Sequence, residues 1–223
     1  MAYGVYRTVT HKASTNGTET TYVIDLLKDG YTGTAVEMHG TGSIFELSYD
    51  QINSKDLFNT PIQNSELSLT LNITNATDLA VLEDIFAADE KEYQLRLKIN
   101  GSVQWLGFVL VDLLEYSEGP YPFDGTIIAK DLTYLKGVTF DLEDNREKII
   151  TTLAKALNEL GYNLPIHSYT SWAEKNTTTT DDFLNQVYND TFVFRNYAKN
   201  GNEVDTTIST YDVVEIICNT YNL

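Results

Sequence analysis

Between Ser65 and Ile73 the chain places Leu67, Leu69, Leu71 and Ile73 at every second position, each flanked by polar Glu66, Ser68, Thr70 or Asn72. An apolar residue at a period of two gives an extended segment one face for a core and one for water, a pattern that no helix satisfies. A lone strand leaves its backbone N–H and C=O groups unpaired, so this segment obliges the chain to build a sheet around it. The same period returns over Tyr93–Ile99, where Leu95 and Leu97 alternate with Arg96 and Lys98. Asn100-Gly101 follows, a dipeptide that accepts the positive φ angles of a tight hairpin turn, and Val103–Val111 is the expected partner strand.

The flanking sequence extends the same theme. Val5–Thr10 and Glu19–Leu27 carry the β-branched and aromatic bias of strands, separated by the polar stretch His11–Gly17, which ends in a second Asn-Gly turn signal. Tyr31–Met38 predicts a third strand and Ile44–Tyr49 a fourth, with Gly40 and Gly42 marking a bend or bulge. Asp50–Pro61 reads as irregular. Leu79, Leu82, Ile85 and Phe86 recur at helical spacing behind Thr77 or Asp78 as cap, which predicts one short inserted helix. Tyr116–Phe123, with two prolines, reads as a loop. Thr126–Ala129 follows as a strand, and Asp131–Lys136 as a turn or short helical piece.

The last third changes character. Asp144 is placed to cap a helix carrying Ile149, Ile150, Leu153, Ala156, Leu157 and Leu160, closed by Gly161 and stopped by Pro165. Ser171–Asp182 is polar, and Asp181 precedes a short helical pattern through Phe183, Leu184, Val187 and Tyr188. Thr191–Tyr197 and Lys199–Asn202 read as a small hairpin or loop. Ser209 with Asp212 has the spacing of a capping box ahead of Val213, Val214, Ile216 and Ile217. The expected fold class is therefore α+β, mainly β: a β-rich domain over residues 1–142 and a smaller, mainly helical one over 143–223.

Composition and motifs narrow the function. Fifteen Lys and Arg against 32 Asp and Glu give a formal charge of −17, the wrong sign for specific nucleic-acid binding. No secretory signal or membrane-spanning stretch is visible. The single Cys218 forms no internal disulfide and reads as a buried thiol beside Ile217. His11, His39 and His167 lack metal-type spacing, and phosphate-loop, dinucleotide and nucleophile-elbow motifs are absent. No catalytic, cofactor or metal residues are therefore assigned. Asp112, Glu115 and Glu118, and Asp141, Glu143 and Asp144, are acidic groups that could serve glycan hydrolysis or a cation, although so many carboxylates place such groups by composition alone. Among aromatics, Trp105 is read as core and Trp172 as a surface candidate. Tyr116, Tyr121 and Phe123 mark a candidate interface loop, equally compatible with a packed loop.

A collinear series of segments adds a resemblance. Leu27-Lys28-Asp29-Gly30-Tyr31-Thr32-Gly33, Phe45-Glu46-Leu47-Ser48-Tyr49, Pro61-Ile62-Gln63-Asn64-Ser65-Glu66-Leu67 and Ile85-Phe86-Ala87-Ala88-Asp89-Glu90-Lys91-Glu92-Tyr93 come first. Trp105-Leu106-Gly107-Phe108-Val109-Leu110, Pro120-Tyr121-Pro122-Phe123 and Ala129-Lys130-Asp131-Leu132-Thr133-Tyr134-Leu135-Lys136 follow, then Asn163-Leu164-Pro165-Ile166, Asp182–Tyr188 and Tyr211–Ile217. In this order they resemble the N-terminal region of tail proteins of phages and prophages from Bacteroidetes-type hosts. The resemblance implies an antiparallel β-barrel-like first domain of hub or tube type, at the tail tip or baseplate. It implies a structural, non-enzymatic virion component assembled in the host cytoplasm, without cofactors or membrane insertion. Its expected partners are other tail proteins and further copies of itself, most often as a trimer. Members of the family are usually longer beyond the stretch matching Tyr211–Ile217, so the second domain is expected to be a shortened one. The family usually places a glycine where this chain has Leu132, which predicts a different local turn. The alternative is a carbohydrate-binding or adhesin module, with exposed aromatics in one groove; an enzyme cleaving glycan or peptidoglycan would need two carboxylates converging in a cleft.

Overall fold

The computed structural model describes residues 2–49, 62–116, 119–132, 134–140, 146–158, 161–162, 187–190, 194 and 208–221. These fall into two compact units, the first ending at 133, a little before the boundary expected from sequence, and the second comprising the residues from 134 onward together with the earlier Ile62.

The first unit is built on a nine-stranded sheet with one helix. β1 (Tyr3–Thr15) and β2 (Thr18–Asp29) form a long antiparallel hairpin turned at Asn16 and Gly17, whose φ angles are 52° and 80°. The turn falls where the Asn-Gly signal predicts it, and the polar residues before it belong to β1. A tight two-residue turn needs no further chain, so Lys12 is left to pair with Thr21 and to form an ion pair with Glu19. β3 (Val36–Glu37) runs parallel to β1 at Arg7 and Thr8 and is all that pairs of the expected strand over Tyr31–Met38. The preceding residues instead bend, with the Tyr31 hydroxyl donating to the Thr34 carbonyl at 3.0 Å.

β4 (Gly40–Tyr49) pairs with β5 (Ser65–Ile73), with a register shift between Gly40 and Phe45 where the glycines predict a bulge. α1 (Ala76–Phe86) leads to β6 (Tyr93–Ile99) and β7 (Ser102–Val109), a hairpin turned at Asn100-Gly101. A 3-10 turn at Val111–Leu113, the short β8 (Glu115–Tyr116) and β9 (Phe123–Lys130) complete the unit. The strand order is β3-β1-β2-β6-β7-β9-β5-β4, with β8 beside β9.

The alternation in β5 is realised in full: Leu67, Leu69, Leu71 and Ile73 are buried, joined by Ile24, Leu26, Leu95, Leu97, Ile127 and α1 residues Val81, Leu82 and Ile85. Each fully buried leucine contributes about 2 kcal/mol relative to exposure. The cap of α1 lies two and three residues before the expected Thr77 and Asp78. Asn75 is the N-cap, its side-chain oxygen accepting from the Thr77 and Asp78 amides at 2.8 and 3.0 Å, while Asp78 reaches back to the Thr74 amide and hydroxyl. Phe86, read as part of the buried face, is 66% exposed: the inward stripe runs through Val81, Leu82 and Ile85 instead.

The second unit has β10 (Arg146–Lys148), α2 (Ile149–Asn158), β11 (Tyr188–Asp190) and α3 (Thr210–Tyr221) among its described residues. β10 pairs with β11, so Tyr188, expected in a helix, lies in a strand. α2 buries Ile149, Leu153 and Ala156 as its spacing predicts, and Gly161, at φ 76°, donates to the Asn158 carbonyl as a C-terminal cap. α3 starts as the capping box predicts, the Asp212 amide donating to Ser209 Oγ at 3.1 Å. The boundary falls early because Val138 and Phe140 hydrogen-bond to Thr210 and Ile208, and Phe140 packs with Ile149, Phe194, Val213 and Ile217. The readings at 50–61, Glu118, Asp141, Glu143, Asp144, 163–186, His167, Trp172 and 199–202 lie outside the described residues.

Candidate binding surface

β8 carries Tyr116, β9 opens with Phe123, and Tyr121 lies in the connection between them. Pairing of Tyr116 with Gly125 fixes one end, and pairing of Phe123 with Ile73 fixes the other. Phe123 then stacks on both tyrosines: its ring centroid lies 6.4 Å from Tyr116, with planes 25° apart, and 5.5 Å from Tyr121, with planes 15° apart. Tyr116 and Phe123 also pack partly against the core, whereas Tyr121 is 43% exposed. The structure therefore brings all three together as one near-parallel stack, anchored at its base and open at Tyr121. Such a stack offers a flat apolar face with a polar rim, suited to an apolar side chain or a sugar ring. It holds no nucleophile and no base.

α1 closes over this region because Gly125 has no side chain: a Cβ there would lie 2.5 Å from Leu82 Cδ1. Among the carboxylates considered from sequence, Asp112 and Glu115 are both exposed. Among the described residues no group of three His, Cys, Asp or Glu is placed to hold a metal ion, and no helix is long and apolar enough to cross a membrane. His11 packs beside Tyr22 with centroids 6.2 Å apart, and His39 contributes its carbonyl to the Asn72 amide. Cys218 is half-buried, and burial pushes its thiol upward.

Two polar constellations were not legible in the sequence. Asp25, 3% exposed on β2, accepts from Arg96 Nε and Nη2 at 3.0 and 2.7 Å, from Lys98 Nζ at 2.7 Å and from Thr8 Oγ1 at 3.1 Å. Burial pushes this carboxyl upward, and the hydrogen bonds from Lys98 and Arg96 with their charges outweigh it, so the group titrates below its ordinary value. Thr8 and Arg96 are its direct cross-strand neighbours, which is why the three converge. In the second, Trp105 Nε1 donates to Ser65 Oγ at 2.7 Å, Ser65 Oγ donates to Asp131 Oδ2, and the Ser65 amide donates to Asp131 Oδ1 at 2.6 Å. A serine beside an aspartate suggests a nucleophile, but this hydroxyl is buried and engaged as both donor and acceptor. It ties the ends of β5 and β9 to the indole of β7.

Leu132, just after this aspartate, has φ 52°. That left-handed conformation costs an L-residue about 1–2 kcal/mol. Replacing Leu132 by glycine is expected to leave thermal stability unchanged or raise it by up to ~1 kcal/mol, while the β-branched Leu132→Val is expected to lower it by about as much. Paired melting curves check the sign.

No family model, no curated protein and no solved structure matches this chain.

Proposed function

We propose that this chain is a structural component of a phage or prophage-derived tail, at the tail tip or baseplate hub, acting by protein–protein assembly rather than turnover. The observation that carries the reading is one short segment, between β3 and β4, that bonds strands near opposite ends of the sheet order. The Met38 amide donates to the Thr8 carbonyl of β1 at 2.8 Å, and the Asn72 amide of β5 donates to the His39 carbonyl at 2.8 Å. β1 and β5 lie second from either end of the order β3-β1-β2-β6-β7-β9-β5-β4, and adjacent residues of one segment bond to both, which supports a sheet curled toward the barrel-like form expected of a hub or tube protein.

Assembly is supported by the β1–β2 hairpin. β2 pairs with β6 from Tyr22 onward and Thr21 is tied to Asn100 through its amide and carbonyl, so Ala13–Thr15 and Thr18–Thr20 extend past that pairing as a short two-stranded arm. Arms of this kind suit strand addition between subunits. The partners are further copies of this chain, a trimer being the expected form, and neighbouring tail proteins, within a virion assembled in the host cytoplasm. The exposed Tyr121 supports the adhesin alternative.

Electron microscopy of the purified chain separates the two readings. Hub assembly predicts closed particles of uniform size. Single particles, together with glycan affinity lost on Tyr121→Ser, would replace it with the adhesin.

A further inference from the structure

The stretches Asn75–Glu90 and Ile99–Ala129 contain no Lys, Arg or His. They supply α1, the 3-10 turn, β8 and most of β9, and these elements meet: α1 contacts the turn, the turn contacts β9, and Leu82 sits over Gly125. Three large apolar side chains are left in solvent here, Phe86 on α1 at 66%, Leu113 in the turn at 45% and Tyr121 between β8 and β9 at 43% exposure. The exposed charges on these same elements are Glu83, Asp84, Asp112, Glu115 and Asp124, all of one sign. α1 ends with no basic residue in its last turn, so Glu83 and Asp84 reinforce the negative end of the helix dipole instead of offsetting it.

Exposed rings within a rim of one charge mark a docking face, and the charge selects the occupant. A second copy, through whichever face it came, would bring a chain of net charge −17 against these carboxylates. We propose that this face docks a segment of a different protein that carries an apolar or aromatic anchor flanked by Lys and Arg. The inference rests on the assembly reading and names the chemistry of one neighbour.

The probe is a short amphipathic peptide of lysine, leucine and tryptophan, compared with the same peptide carrying glutamate for lysine. Both are titrated into the full chain and followed by amide chemical shifts. The lysine peptide is expected to move resonances around Phe86, Leu113, Tyr121 and Gly125, more weakly as salt rises, while the glutamate peptide moves none. The double variant Phe86→Ser, Tyr121→Ser is expected to bind about tenfold or more weakly with an unchanged circular dichroism spectrum. Equal binding by the double variant, or shifts scattered over the surface, would reduce the effect to net charge and overturn the inference, as would absence of binding. An oligomer that the double variant loses would assign the face to a second copy and overturn it as well. Solution mass on the same samples separates the two readings: a chain that assembles but ignores the peptide overturns the docking face alone, and one that never assembles counts against the assembly reading itself.

Discussion

Asp25→Ala is expected to lower the stability of the sheet-bearing unit by about 3 kcal/mol, measured as the shift in urea midpoint of the full chain. The carboxylate is buried and holds Arg96, Lys98 and Thr8 at once. Its removal leaves two cations facing each other with no counter-charge, a situation that costs about 3–5 kcal/mol when the partners are fully buried. Both cations keep about a quarter of their side-chain surface in water (26% and 27%), which places the effect at the lower end. The pH dependence has a defined sign. A carboxyl held below its ordinary 3.8 contributes stability that is fully present above that value and is lost as pH falls through the folded-state value. Asp25→Asn is expected to remove this component, so that stability between pH 5 and pH 3 falls less steeply in the variant than in the parent. Identical pH slopes would mean that the Asp25 carboxyl titrates alike in the folded and unfolded chain, and that its cationic partners do not hold it below its ordinary value.

Trp105→Ala is expected to cost about 3–5 kcal/mol, the range for truncating a buried large aromatic. Two losses combine. The indole is 5% exposed, and its ring lies so close over Gly107 that a Cβ there would approach within 2.3 Å. Its Nε1 also supplies the hydrogen bond to Ser65 Oγ. Trp105→Phe isolates the second loss: most of the ring remains, but Ser65 loses its donor, and about 1–2 kcal/mol is expected. If the two variants melt alike, the hydrogen bond rather than the packing holds this corner. Gly107→Ala is expected to destabilise through the same ring, because the added methyl meets Trp105 on one side and the Lys130 backbone at 2.8 Å on the other.

Much of the sheet was legible because its signals are local. The alternation over Ser65–Ile73 and Tyr93–Ile99 and the two Asn-Gly turns act within a few residues, and the strands appear where they predict. What was not legible depends on partners distant in sequence. Asp25 sits in a segment read correctly as strand, yet Arg96 and Lys98 become its neighbours only once β2 pairs with β6. Ser65 and Asp131 meet for the same reason, through the pairing of β5 with β9. The parallel contact of β3 with β1 has no local signature, which is why Tyr31–Met38 reads as a longer strand than forms. Phe86 fits the helical period of α1 but falls just outside the stripe that meets the sheet. Tyr116, Tyr121 and Phe123 were identifiable as aromatics in a proline-bearing loop, while their stacking follows from the pairing of β8 with β9.

The most direct test of the assembly reading is the solution mass of the purified chain by light scattering over a range of concentrations. The account predicts a discrete oligomer, a trimer of the 25.1 kDa chain, whose mass stays constant on dilution. A mass of one chain at every concentration would contradict it.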